Sequence, residues 1–186
     1  MTVLFDTSTL LLALQPDARP PLDPETNLPL EHAKQRVEFL IKTLSKNKTK
    51  VIIPAPVLAE VLVHAGDAAN EYIQILQTSP FRVAPFDTRA AIECADAISR
   101  FGLKAKGKEN IRAKVKFDRQ IVAIASVERV EAIYADDGHI CTIAKQFGLK
   151  VIRTFELERD PADRQGHLAF ETPDAENTDG ADLAGD

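Results

Sequence analysis

Val3-Leu4-Phe5-Asp6-Thr7-Ser8, near the start of the chain, is the stretch that decides the fold. Its apolar run ends abruptly on an acid, followed by small hydroxyl residues and a second apolar run, Leu10-Leu11-Leu12. This pattern predicts a short buried strand over 2–6 that stops at Asp6 and turns into a helix. Ligands of open α/β sheets bind beyond the carboxyl ends of the strands. Asp6 could therefore be a metal ligand, a nucleophile or only a helix cap.

Strands and helices alternate along the rest of the chain. Pro54 closes a second apolar run, and Pro56 fits the first turn of the helix that follows. This alternation predicts a three-layer α/β/α fold with a mostly parallel sheet. The predicted strands are 2–6, 51–53, 81–84, 131–135 and 150–153, and the predicted helices follow residue 8 and cover about 30–44, 57–63, 67–78, 88–101, 110–130 and 139–147.

The length of 186 residues suits one domain with its own core, and 45% apolar with 27% charged content is ordinary for a globular protein. We expect a domain over 1–155 that contains a Pro-rich loop at 15–30. We also expect a C-terminal extension at 156–170 and a disordered acidic tail at 171–186, which lacks apolar periodicity.

The sequence gives no sign of membrane insertion or export. No apolar run is long enough to cross a bilayer, and no basic region precedes the first apolar run, so we expect no signal peptide. Cys94 and Cys141 lie in apolar helical patterns and are expected to be buried thiols in a reducing compartment. We therefore expect a cytoplasmic location.

The net charge of −5 divides unevenly along the chain. The tail at 171–186 carries six of the 28 acids and no base, which leaves 22 acids against 23 bases in the body. A basic cluster lies just before and around Asp118, where only Glu109 and Asp118 oppose it. The cluster consists of Lys104, Lys106, Lys108, Arg112, Lys114, Lys116 and Arg119.

Several acids stand where a lone carboxylate is costly. Asp6 and the pair Asp136-Asp137 follow predicted strands, so they belong to one edge of the sheet. Glu60 lies inside an almost wholly apolar helix, and Asp118 shares a helix face with apolar residues. Carboxylates brought together raise one another's pKa, and a hard divalent cation with oxygen ligands resolves the repulsion. Their joint occurrence indicates a metal site for phosphodiester hydrolysis.

Each acid also has a structural interpretation that the sequence leaves open. Asp6 could be a plain helix cap, and Glu60 could point outward from its helix. Asp118 could be an acid of a first helical turn, favoured by the helix dipole. Asp136-Asp137-Gly138 could be a turn and cap. His64, one turn after Glu60, could border the site, but it is interpreted as an ordinary, partly exposed histidine.

Four segments together resemble a PIN domain, the nuclease fold of VapC-type toxins. The resemblance covers roughly 2–155 and implies a parallel sheet between helices, an acidic Mg²⁺ or Mn²⁺ site, and cleavage of single-stranded or structured RNA. It also implies a homodimer and, in toxins, a small antitoxin partner that occludes the site. The segments are Val3–Ser8, Ile53–Val61, Phe117–Ala125 and Ile133–Asp137.

The resemblance implies catalytic and metal-binding roles for Asp6, Glu60, Asp118 and Asp137. The fourth segment usually reads Thr-x-Asp, but Ala135 stands here in place of the Thr, and the extra Asp136 could take up metal-ligand duty instead. The residues expected to contact RNA are Ser8, Lys108, Arg112, Lys114, Lys116 and Arg119.

The leading hypothesis is a metal-dependent endoribonuclease. The first alternative is a non-catalytic PIN-like module that binds RNA or protein, suggested by the missing Thr at position 135. The second is a small phosphatase or receiver-like domain that uses Asp6 as a phosphoacceptor. With 6% aromatic residues and no Trp, base stacking is expected to contribute little.

Overall fold

The computed structural model describes residues 1–78, 80–102 and 109–164, with the backbone alone over 109–114 and 163–164. The predicted disordered tail therefore lies outside the described residues. So do three lysines of the basic cluster and the side chains of Arg112 and Lys114.

Five parallel strands form the centre of the molecule in the order β3-β2-β1-β4-β5. Leu4 of β1 pairs with Ile52 of β2 and with Ile133 of β4, so β1 is the middle strand. All five strands end at one edge because they are parallel. The strands are β1 (Thr2–Phe5), β2 (Lys50–Pro54), β3 (Phe81–Ala84), β4 (Ala132–Tyr134) and β5 (Val151–Ile152).

Helices flank the sheet, as the sequence predicts. The predicted helix over 67–78 begins as a separate 3₁₀ turn at Gly66–Ala68, where Gly66 has a φ of 53° that ends the preceding helix. A second 3₁₀ turn covers Thr154–Glu156. The α-helices are α1 (Thr7–Leu14), α2 (Ala33–Lys46), α3 (Ala55–Ala65), α4 (Ala69–Leu76), α5 (Thr88–Phe101), α6 (Glu109–Val127), α7 (Gly138–Gln146) and α8 (Pro161–Arg164).

The core covers both faces of the sheet. Side chains alternate between the faces along a strand, yet Val3, Leu4 and Phe5 are all buried. The Pro-rich loop contains an isolated antiparallel bridge between Leu22 and Pro29. No helix in the described part of the chain is long and apolar enough to cross a membrane.

The two cysteines differ in their surroundings. Cys94 is buried, as predicted, whereas Cys141 is only partly buried, and both are free thiols. Burial raises the pKa of the Cys94 thiol and, with a smaller buried fraction, that of Cys141. Neither residue therefore has the lowered pKa that marks a reactive cysteine.

Candidate active site

A cleft of about 650 Å³ opens at the carboxyl edge of the sheet. Four acids from four separate parts of the chain line it: Asp6, Glu60, Asp118 and Asp137. The cleft therefore brings together the four acids predicted as catalytic. The other lining residues are Thr7, Ser8, Leu11, His64, Phe117, Ile121 and Ile140.

Asp6 lies where β1 passes into α1, and it is 2% exposed. Its Oδ1 accepts a hydrogen bond from Thr9 N at 2.8 Å, which caps the helix, and the Ser8 hydroxyl donates to both carboxylate oxygens at 2.9 Å. Asp6 is thus a helix cap and a cleft residue at once.

The protonation of Asp6 is governed by its burial. Desolvation and, to a smaller extent, the charge of Asp136 raise its pKa from 3.8 to about 7, while the hydrogen bonds from Thr9 and Ser8 oppose this rise. Ionising Asp6 in the folded chain therefore costs about 4 kcal/mol more than in the unfolded chain. A cation beside the carboxylate would lower this cost, because an opposite charge stabilises the ionised form.

Glu60 is exposed, so the prediction that it occupies a costly buried position is wrong. Val57 and Val61 form the buried side of α3, while Glu60 projects into the cleft. Thr7 Oγ1 donates to Glu60 Oε2 at 2.6 Å and so links the start of α1 to α3. The outward orientation that the sequence left open is therefore the observed one, and it faces the cleft.

Asp118 is 5% exposed and lies well inside α6, which begins at Glu109. A first-turn position favoured by the helix dipole is therefore excluded for this acid. Val115 and Val122, one turn to either side, are buried with it. The predicted costly placement on an apolar face is confirmed for Asp118.

The adjacent acids after β4 have different environments. Asp137 caps α7 by accepting from His139 N at 2.7 Å and from Ile140 N at 3.4 Å, and it lines the cleft. Asp136 accepts from Thr154 N at 3.0 Å and from Thr154 Oγ1 at 2.5 Å. Asp136 is not among the residues that line the cleft, so the geometry favours Asp137 as the fourth acid.

The prediction that Arg119 contacts RNA is wrong. It is 2% exposed, and its Nη2 donates to the carbonyl of Gly102, which ends α5, at 2.7 Å. Its spacing from Val115 and Val122 places it on the buried side of α6, so it cannot contact RNA as it lies. Lys116 is exposed, as a phosphate contact requires.

Of the other predicted RNA contacts, the structure describes only the side chain of Ser8. The Ser8 hydroxyl is engaged with Asp6, so its evident role is to orient that carboxylate. Lys108 and the side chains of Arg112 and Lys114 lie outside the described residues.

Sequence reasoning assigned no role in the cleft to Thr7 or Phe117, although both line it. His64 was considered as a residue at the border of the site but was interpreted as an ordinary histidine, and it also lines the cleft. The spacing of four residues between Glu60 and His64 was the available signal, since it places both on one helix face. Phe117 was missed because its exposure in the cleft depends on tertiary packing.

The donors in the cleft suit a hard cation by their chemistry. They are carboxylates and hydroxyls, the ligands that Mg²⁺ and Mn²⁺ prefer. As the side chains lie, however, no three Asp, Glu, His or Cys residues in the described ranges form a group that could hold one metal ion. The four acids would have to draw closer together to share a cation.

The parallel sheet and the acidic cleft at its carboxyl edge define a class: a three-layer α/β fold with a carboxylate site. No protein-family model matches the sequence, and no curated protein is significantly similar to it. The structure is similar to that of VapBC2 from Rickettsia felis bound to a DNA fragment from its promoter, with a TM-score of 0.55 and 14% identity. That likeness covers 82% of this chain and 98% of the other.

A second likeness is to DNA-bound VapBC from Salmonella typhimurium, with a TM-score of 0.51 and 14% identity. It covers 83% of this chain and 98% of the other. At this identity the two structures show the fold alone. The predicted PIN-like fold, with its parallel sheet between helices, is thereby confirmed.

Asp6→Asn is expected to stabilise the metal-free protein at neutral pH. Asn retains the helix cap, and it removes a carboxylate whose folded pKa of about 7 exceeds the unfolded value of 3.8. The wild type therefore loses stability as the pH rises from about 4 to about 7. The advantage of the variant should grow by about 2–3 kcal/mol between about pH 5 and about pH 8.

Urea unfolding in EDTA measures this difference. Asp23→Asn is the matched control, because the Asp23 carboxylate is exposed and backbone hydrogen bonds from Thr26 and Glu25 lower its pKa. The control should gain no stability at either pH. A constant difference between wild type and Asp6→Asn across this range would show that burial does not govern Asp6.

Proposed function

We propose that this protein is a metal-dependent endoribonuclease and that the acidic cleft is its active site. The observation that carries the proposal is the meeting of Asp6, Glu60, Asp118 and Asp137 in one cleft of a PIN-like fold. These acids come from residues 6 to 137, so the convergence is a product of the tertiary fold. An ordinary set of helix caps would not require Asp118, which caps no helix end.

Mg²⁺ or Mn²⁺ would be held by the four cleft acids, without Asp136. Bound there, such an ion lowers the pKa of a water molecule and offsets charge on a phosphoryl oxygen. The protein keeps its carboxylates in place: Ser8 and Thr9 hold Asp6, and Thr7 holds Glu60. Without a cation the acids would repel an RNA phosphate, so productive binding in the cleft should depend on the metal.

A role as the toxin of a toxin–antitoxin pair is part of the proposal. The likeness to VapBC2 from Rickettsia felis and to VapBC from Salmonella typhimurium supports it, because the sequence also resembles VapC-type toxins. We infer a cytoplasmic homodimer whose partner is a small antitoxin. Co-expression with the product of a neighbouring small reading frame would test this part, because a true antitoxin should co-purify and suppress RNA cleavage.

Asp6→Asn and Asp118→Asn should each reduce Mn²⁺-dependent cleavage of RNA by about a hundredfold or more, because each removes a charged donor worth several kcal/mol. A gel assay on a mixture of single-stranded and structured RNA, with and without EDTA, measures the loss. Circular dichroism checks that both variants are folded. Full activity in both would overturn the assignment of the cleft.

The adjacent pair Asp136 and Asp137 provides an internal comparison. Asp137→Asn should lose cleavage while keeping the α7 cap, since Asn also caps helices. Asp136→Asn should keep cleavage, because Asp136 is bound to Thr154 and does not line the cleft. The opposite result would make Asp136 the fourth acid.

Lys116→Ala should weaken RNA binding and reduce the slope of log affinity against log salt by about 1, as expected for one phosphate contact. Arg119→Met should leave that slope unchanged, because the Arg119 guanidinium is buried. Lys46→Ala, at the far end of α2 near the amino edge of the sheet, is the matched control. Fluorescence anisotropy over a salt series, with Ca²⁺ present at a fixed concentration in place of Mn²⁺, distinguishes the three variants.

A non-catalytic PIN-like module is the second candidate function. Two observations favour it: Ala135 lacks a hydroxyl, and the described residues contain no ready-made group of three metal ligands. Calorimetric titration with Mn²⁺ separates the candidates. Binding by wild type that is lost in Asp118→Asn supports the nuclease, whereas no Mn²⁺ binding together with RNA binding in EDTA supports the module.

A further inference from the structure

The acidic cleft has an apolar wall whose role the proposed hydrolysis leaves unexplained. Leu11 from α1, Phe117 and Ile121 from α6, and Ile140 from α7 line the same space as the acids. Ile121 and Ile140 are 2% and 3% exposed and belong to the core. Phe117, one turn before Ile121, is 36% exposed. The core therefore ends at a ring that is presented to the cleft.

Phe117 is unusual among the exposed side chains. The other large hydrophobic side chains that are exposed in the described ranges are aliphatic, so Phe117 is the one aromatic ring of that set. It directly precedes Asp118, a proposed metal ligand. An exposed ring beside a phosphate-processing site matches the stacking platforms of proteins that bind single-stranded nucleic acid.

We propose that Phe117 is a positioning residue that stacks on a nucleobase of the RNA beside the phosphate that the acids would hold. The inference rests on the proposed function, because the acids place a backbone phosphate near Asp118. The base of an adjoining nucleotide then lies within reach of the neighbouring ring. In a duplex the faces of the bases are already stacked, so a paired nucleotide cannot use Phe117.

The size and lining of the cleft agree with this occupant. A volume of about 650 Å³ suits an extruded nucleotide and falls within the range of roughly 300–1,000 Å³ typical of ligand pockets. The apolar wall can contact the base. The acids can hold the phosphate of the same nucleotide through a cation. His64, one turn after Glu60 on α3, adds ring nitrogens that can hydrogen-bond to a base edge. Stacking is tolerant of sequence, so Phe117 would position the base without reading its identity.

The test uses the full chain with Asp118 intact, and Phe117 is unchanged or replaced by Leu or Trp. Ca²⁺ takes the place of Mn²⁺, because carboxylates bind Ca²⁺ but Ca²⁺ activates water poorly, which keeps the RNA intact. The probe is a short single-stranded RNA that contains 2-aminopurine, whose fluorescence is quenched by stacking. Phe117→Leu should weaken binding roughly tenfold and lose the protein-induced quenching. Phe117→Trp should retain both. Ile92→Ala, which removes another exposed apolar side chain on α5, is the control and should change neither.

Annealing the same RNA to its complement should abolish the Phe117-dependent part of the affinity. Affinity and quenching that are both unchanged by Phe117→Leu would overturn the inference. Phe117-dependent affinity for the duplex would overturn it as well.

Separate assays distinguish the two levels of the proposal. Phe117-dependent quenching without RNA cleavage by the wild type would remove the nuclease but keep the base subsite. Mn²⁺-dependent cleavage whose KM is unchanged in Phe117→Leu would keep the nuclease and remove the subsite.

Discussion

The burial of one carboxylate at the end of the central strand is the constraint around which this fold is arranged. Asp6 is nearly inaccessible, and its pKa rises to about 7 in spite of hydrogen bonds from Ser8 and Thr9. The surrounding core must therefore supply the free energy that the ionised group costs. The strands β2 and β4 pair with β1 on either side and so fix the position of its end, where Asp6 follows.

Helix caps and cleft acids are partly the same side chains. Asp6 caps α1 and Asp137 caps α7, and both accept hydrogen bonds from backbone N–H groups at the positive ends of these helices. These bonds fix the direction of each carboxylate. The side-chain entropy lost in capping the helix is the same entropy that orients the acid in the cleft, so no further loss is needed. Glu60 is fixed differently, by the Thr7 hydroxyl, so the stretch that follows β1 orients acids on two elements.

The sequence predicts the framework well because strand ends and helix periodicity are local properties. Residues 2–5 and 81–84 form strands where the apolar runs predict them, and the acids that follow strands reach one edge as parallel topology requires. The errors of the sequence prediction concern the direction in which individual side chains point. Arg119 was assigned to the surface because its charge belongs to a basic cluster, whereas helix periodicity places it beside Val115 and Val122. The exposure of Phe117 depends on tertiary packing, which no local pattern reveals. The hydrogen bonds of Asp136 likewise depend on Thr154, which is distant in sequence.

The pairing of β1 with β4 also sets the order in which the cleft can be completed during synthesis. The Asp6 N–H donates to the carbonyl of Tyr134, and Val3 pairs with Ala132. The first strand can therefore complete its pairing only after a segment about 130 residues later has been synthesised. Contacts of such sequence separation form late, since loop closure must precede them. Until that segment leaves the ribosome, Asp6 and Asp137 cannot share a cleft, and the nascent chain lacks a complete site.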